Sequence, residues 1–230
     1  MAKNYVIIVG GGSGTRMQSD TPKQFMLLNG LPILMHTIKK FNVSQTSPVI
    51  ILVLAPTLRK QWQQLCEEYT FTIQHIVVDG GSTRFHSVLN GLKYIKSNTA
   101  SIENGYIAIH DGVRPMVSGK IIDDGFEQVV KFRALVTATA SKDSIRIKEI
   151  GDITRSIDRN TVFLVQTPQF FAAELLLKAY EQPFEAKFTD DASVVENFGY
   201  PIKIMQGDTR NIKITFPEDL ILAEILTKSL

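Results

Sequence analysis

Tyr5-Val6-Ile7-Ile8-Val9 runs directly into Gly10-Gly11-Gly12-Ser13-Gly14-Thr15-Arg16, and Pro22-Lys23-Gln24-Phe25 follows close behind. An apolar run without polar alternation describes a strand buried on both faces, the kind that lies inside a parallel sheet covered by helices. The following residues keep that rhythm. Val49 to Leu54, Ile76 to Val78 and Tyr106 to Ile109 read as further strands, while Pro32 to Phe41, Leu58 to Tyr69, Thr83 to Ile95 and Lys120 to Phe132 carry helical periodicity. The alternation specifies an α/β fold, with a mostly parallel central sheet covered by helices and ligands bound at the carboxyl ends of its strands.

After Ala134 the rhythm changes. Lys142 to Ile157 alternates apolar and polar residues, with Ile145 and Ile147 in phase around a Glu149-Ile150-Gly151-Asp152 turn; this is the pattern of a projecting β-hairpin arm. Gln166-Thr167-Pro168 reads as a strand ending before proline. Asn211 to Thr215 alternates as a strand with Lys213 opposite Ile212 and Ile214, ahead of a helix start at Pro217-Glu218-Asp219. Thr189-Asp190-Asp191 fits a helix N-terminus, with paired-carboxylate metal or acid chemistry as the competing reading. No repeat or Pro/Gly/Ser linker divides residues 1–230, so one domain containing the arm at 142–157 is expected.

The bulk properties narrow the function. The 230 residues are 44% hydrophobic, enough for a sizeable core, and 25 basic against 23 acidic residues leave a net charge of only +2. Such a balance gives no global attraction to nucleic acid or an anionic membrane, so an anion site must be local. No apolar run approaches the roughly 18 residues of a membrane span, and the apolar residues before Gly10 are too few for a signal-peptide core. A cytoplasmic protein is expected, with neither nucleic acid nor membrane as partner. The single cysteine, Cys66, excludes an intramolecular disulfide and a cysteine metal cluster, and is expected to be a small buried apolar residue.

A glycine-rich loop after a first strand usually turns backbone N–H groups toward phosphate oxygens. A Walker loop requires Gly-Lys-Ser/Thr, but Gly14 is followed by Thr15-Arg16. A dinucleotide fingerprint requires a third glycine where Thr15 stands and an acidic residue ending the second strand, and Thr21 to Cys66 contains no Asp or Glu. What remains is a loop that sets backbone amides and two cations, Arg16 and Lys23, against a polyphosphate, with Pro22 stiffening the approach.

Six further motifs follow in order: DGGSTRFHSVLNGL (Asp79 to Leu92), HDGVRP (His110 to Pro115), DRN (Asp158 to Asn160), QTPQFF (Gln166 to Phe171), TDDAS (Thr189 to Ser193) and NIKITFPEDL (Asn211 to Leu220). With the opening loop they resemble, over essentially the whole chain, the alditol-phosphate cytidylyltransferases, and in particular those of the methylerythritol phosphate isoprenoid pathway. The resemblance departs at Gly10 and Gly11, and at Gly112 and Val113, where alanines are common in that family.

The resemblance implies a Rossmann-like nucleotidyltransferase fold and transfer of a cytidylyl group from CTP to 2-C-methyl-D-erythritol 4-phosphate. Ribitol 5-phosphate is the alternative acceptor, and an inactive nucleotide-binding regulator is the reading outside enzymes. It implies Arg16 and Lys23 as transition-state stabilisers, and Arg159 and Lys213 as positioners of the acceptor phosphate. Gly11, Gly12, Ser13, Gly14, Gly81, Ser82, Arg84 and Ser87 would bind the nucleotide. Asp111, Arg114, Thr167 and Thr189 would bind the acceptor. Asp111 could instead pair with Arg114 or help organise a metal, and His110 lacks the serine or cysteine motif of a catalytic dyad. No metal-binding residues are implied; Mg²⁺ would be held mainly by the triphosphate. The arm would clasp a second subunit, giving a homodimer with shared sites.

Overall fold

The computed structural model describes residues 3–12, 21–99 and 104–228. The elements in chain order are β1 (Asn4–Val9), β2 (Leu27–Leu28), β3 (Leu31–Pro32), α1 (Ile33–Asn42), β4 (Val49–Leu54), α2 (Arg59–Glu68), β5 (Ile76–Asp79), α3 (Arg84–Ser97), β6 (Tyr106–Asp111) and α4 (Gly119–Phe132). They continue as β7 (Ala134–Ala140), β8 (Ile145–Lys148), β9 (Thr154–Ile157), β10 (Phe163–Ala172), α5 (Ala173–Ala179), α6 (Asp191–Asn197), β11 (Lys203–Gln206) and α7 (Pro217–Lys228). Seven strands form one sheet in the order β11-β7-β10-β6-β1-β4-β5. Every pairing is parallel except those of β10, which runs antiparallel to both β6 and β7.

β1 shows why an apolar run makes a central strand. Tyr5 and Ile7 face one core with α3, α5 and α6, while Val6 and Ile8 face a second with α1, α2 and α4. All four side chains are buried, at about 1.5–3 kcal/mol for each large aliphatic removed from water. Both cores are therefore anchored by the strand whose end carries the glycine loop. A third cluster, Leu28, Ile33, Val113, Ile214 and Ala223, packs α7 and the chain before it against the loop after β6.

The arm is present: β8 and β9 pair antiparallel from Ile145↔Ile157 to Lys148↔Thr154 in a separate two-stranded sheet. Three local expectations are corrected. β10 does not stop before Pro168 but continues through it to Ala172, with its register shifting between Val165 and Gln169. A proline is tolerated because that irregularity removes the demand for a ladder hydrogen bond there. Asn211 to Thr215 is not a strand; side chains and the loop after β6, through Ile214 N–H to Val113 O, satisfy it instead. Cys66 is half-buried rather than fully enclosed, and burial followed by the charge of Glu67 pushes its thiol up to about 11.

Candidate active site

At the carboxyl end of β1, Gly10 N–H donates to Val53 O and Gly10 O accepts from Gln24 Nε2 at 2.7 Å. The loop's first residue is thus clamped from both sides. Gly11 and Gly12 line a cleft of about 400 Å³ together with Lys23. Lys23 opens a 3₁₀ turn after Pro22, is only 8% exposed, and has its Cε 4.0 Å from where a Cβ on Gly12 would stand. Ser13, Gly14 and Arg16 lie outside the described residues.

The wall opposite is the turn between β5 and α3. Gly80 N–H donates to Leu54 O, Ser87 Oγ accepts from Gly81 N–H at 3.1 Å and donates to Thr83 O, and Thr83 Oγ1 caps α3 by accepting from His86 N–H. A Cβ on Gly81 would stand 2.4 Å from that of His86, so a side chain there would force the backbone to move. Gly81 and Ser82 are exposed to the cleft. Ser87 lines it too, but its hydroxyl is engaged in shaping the turn.

Between these walls β6 ends on His110 and Asp111. The Asp111 carboxylate lies 3.0 Å from Lys213 Nζ, 3.5 Å from Arg114 Nε and 3.6 Å from Arg84 Nε. Burial alone would raise its pKa, but Arg84, Lys213 and Arg114 outweigh burial and hold the carboxyl well below the usual range. Asp111 stays ionised. The guanidinium of Arg114 is shifted down by burial and donates to Asn211 O at 2.8 Å. Asn211 in turn donates to Thr167 O, and these bonds fix the segment that carries Lys213.

His110 has no exposed surface, and burial lowers its pKa to about 3. The carbonyl of Arg114 near Nε2 requires that nitrogen to donate; Nδ1 then accepts from the Thr167 hydroxyl, whose oxygen accepts from Asp111 N–H. The imidazole is neutral, enclosed and positioned to hold Thr167 and Asp111 rather than to exchange protons with a ligand.

Arg84 reaches across the floor. Its Nη1 and Nη2 donate to both oxygens of Asp191 at 2.9 and 2.6 Å, and Tyr180 donates to Asp191 Oδ1 at 2.7 Å. Burial disfavours the guanidinium charge, but Asp191 and then Asp111 more than restore it and raise its pKa. Asp190, not Asp191, caps α6, in a reciprocal box with Ser193, and also accepts from Gln169.

A second lobe of about 310 Å³ adjoins the first, lined by Arg114, Gln166, Thr167, Thr189 and Asp190, and shares Arg84, Asp111 and Lys213 with it. The structure therefore brings together Gly11, Gly12, Lys23, Gly81, Ser82, Arg84, Ser87, Asp111, Arg114, Thr167, Thr189 and Lys213. It does not bring Arg159 there. Arg159 is exposed at the base of the arm, where its Nη1 donates to Lys142 O. The sequence reading also missed Gln24, Asp191 and Tyr180; the first two stand inside quoted motifs, but Tyr180 carries no sequence signal. Among the described residues no group of three or more His, Cys, Asp or Glu converges as a metal cage, and no helix is long and apolar enough to cross a membrane.

A glycine-lined strand-end cleft with a second polar lobe, on a mostly parallel sheet flanked by helices, defines an α/β nucleotidyltransferase. The family model described as IspD, 2-C-methyl-D-erythritol 4-phosphate cytidylyltransferase, matches residues 4–229, and the chain belongs to that family. It is 46% identical over 228 residues to the 2-C-methyl-D-erythritol 4-phosphate cytidylyltransferase of Azobacteroides pseudotrichonymphae, covering 98% of this chain and 99% of that one. To the protein of the same name from Phocaeicola vulgatus it is 44% identical, over 96% and 98% of the two chains. The crystal structure of 4-diphosphocytidyl-2C-methyl-D-erythritol synthase from Anaerococcus prevotii superposes with a TM-score of 0.81 at 28% identity, over 99% of each chain.

Proposed function

We propose that this enzyme transfers the cytidylyl group of CTP to 2-C-methyl-D-erythritol 4-phosphate, forming 4-diphosphocytidyl-2-C-methyl-D-erythritol and pyrophosphate for isoprenoid precursor synthesis. The observation that carries the reading is the two-lobed cleft, in which a glycine-and-lysine wall and a threonine-lined wall meet at Arg84, Asp111 and Lys213. A phosphate oxygen of the acceptor attacks the α-phosphorus of CTP, and the bond from that phosphorus to the bridging oxygen breaks as pyrophosphate leaves. A phosphate monoester is already anionic, so the protein's task is to overcome repulsion, align the reactants and stabilise charge on the transferring group.

Lys23 and the backbone of Gly11 and Gly12 face the triphosphate, and the family resemblance assigns Ser13, Gly14 and Arg16 to the same task. Small groups at Gly81 and Ser82 admit a pyrimidine base. Lys213 leaves Asp111 for the acceptor phosphate; a unit charge pair at 4 Å is worth about 4 kcal/mol at an effective dielectric near 20, so an arriving dianion competes with the existing pair. Asp111 and Thr189 then face the acceptor's hydroxyls. Mg²⁺, held mainly through the triphosphate, would neutralise part of that group's charge when bound. The chain works as one catalytic domain in a homodimer, each arm carrying Arg159 toward the neighbour's acceptor lobe.

A coupled pyrophosphate assay crossing CTP, UTP, ATP and GTP with methylerythritol, ribitol and erythritol phosphates tests the reading. Strong preference for CTP with methylerythritol phosphate is expected. Faster turnover of ribitol phosphate would replace the acceptor, and no pyrophosphate from any pair would remove the catalytic reading.

A further inference from the structure

Asp191 has no exposed surface, yet it is not the residue that caps its helix, because Asp190 does that. A buried carboxylate is costly unless its oxygens are satisfied. Here Arg84 occupies both oxygens and Tyr180, itself buried, adds a third donor to Oδ1. Two parallel N–H···O bonds fix a guanidinium in plane as well as in place. Arg84 lies at the start of α3 and lines both lobes, 3.6 Å from Asp111. Thr189, two residues before Asp191, lines the acceptor lobe. One rigid fork thus joins the nucleotide-side turn to the acceptor-side turn across the cleft floor.

We propose that Asp191, supported by Tyr180, is a positioning residue for the cytidylyl transfer: it holds Arg84 in the plane that keeps the two lobes in register, and acts on the reaction through Arg84. Without the carboxylate, Arg84 is left with Asp111 as its remaining acid partner and turns toward it. That displaces the pairing of Asp111 with Lys213 and disturbs both lobes from one point. Tyr180 limits the opposite error by preventing Asp191 from following Arg84 into the cleft. Its hydroxyl is suited to the task, since burial and the neighbouring Asp191 charge push its pKa well above the ordinary value and keep it a donor.

The inference rests on the reaction proposed above, and a double-mutant cycle measured with CTP and methylerythritol phosphate tests it. Asp191→Asn is expected to lower kcat/KM at least tenfold in the otherwise unaltered chain and to raise KM for both substrates. In an Arg84→Met background the same change should cost less than threefold, because the group through which Asp191 acts is gone. Tyr180→Phe should show the same dependence on Arg84 with a smaller factor, and it carries the test if Asp191→Asn does not fold. Equal factors in the two backgrounds, or less than a twofold effect in the unaltered chain, would overturn the proposal. Turnover by the unaltered chain separates this failure from failure of the proposed reaction.

Discussion

His110 illustrates how a residue that attracts a catalytic reading can be tested by its thermodynamics. The unfolded chain binds a proton at this imidazole near the ordinary 6.5, whereas the folded chain resists it down to about 3. The unfolded state therefore holds more protons throughout that window, so stability is complete above about 6.5 and falls as pH drops toward 3. One such group contributes up to about 1.4 kcal/mol per pH unit. His36 is also lowered by burial, but it remains in a His110→Gln variant and cancels in the comparison. Urea unfolding between pH 5 and 6.5 should accordingly give a shallower pH slope for His110→Gln than for the unaltered chain. Parallel slopes would mean that His110 titrates normally in the folded protein. At the same scale, neutral His110 and ionised Asp111 divide their work without proton exchange, one fixing Thr167 and the other balancing three cations.

Among the elements, α4 and β10 meet through a missing side chain: a Cβ on Gly125 would stand 2.1 Å from the Phe170 ring, a contact no rotamer adjustment of α4 relieves. Gly125→Ala should destabilise the protein by about 1–3 kcal/mol, read as a lowered midpoint in chemical denaturation, with Phe170→Leu restoring part of it. An unchanged midpoint would show that the ring moves aside freely. Nothing in the sequence marks Gly125 as special, and the reason is general: periodicity reports which face of an element is apolar, not how closely two faces approach. The strands Asn4–Val9 and Val49–Leu54 were legible because unbroken apolar runs have few other uses. β10 was read short because Gln166, Thr167 and Pro168 look like an ending, although the polar side chains there serve the cleft and the proline sits where the pairing shifts register. The site was legible where charge and glycine cluster within a few residues. It was illegible where partners lie far apart in the chain, as Tyr180 and Asp191 do from Arg84, because spacing carries no trace of contacts made only by the fold.

At the scale of the whole molecule, the arm leaves Ile150 and Ile153 exposed, and the strand leading back from it leaves Phe163, Leu164 and Val165 exposed as well. A two-stranded arm cannot bury such a surface alone, and a twofold pairing would cover it once from each side. Mixing inactive Arg159→Ala with inactive Lys213→Ala protein should then restore activity, since a mixed dimer keeps one site with both cations. Random exchange makes about half the dimers mixed with one good site of two, so recovery should approach roughly a quarter of the unaltered level. Verified exchange without recovery would return Arg159 to its own subunit's site. The sheet also divides the cleft by position along the chain. The glycine loops, Lys23 and the start of α3 all precede Asp111, while Arg114, Thr167 and Thr189 all follow it, and among the described later residues only Val113 and Lys213 reach back to the glycine-lined lobe. β6 is therefore the seam of the cleft, crossed from the earlier half by Arg84, which lines both lobes: a lineage that exchanged what comes after β6 to take another polyol would have to keep Asp191 and Tyr180, which hold that arginine.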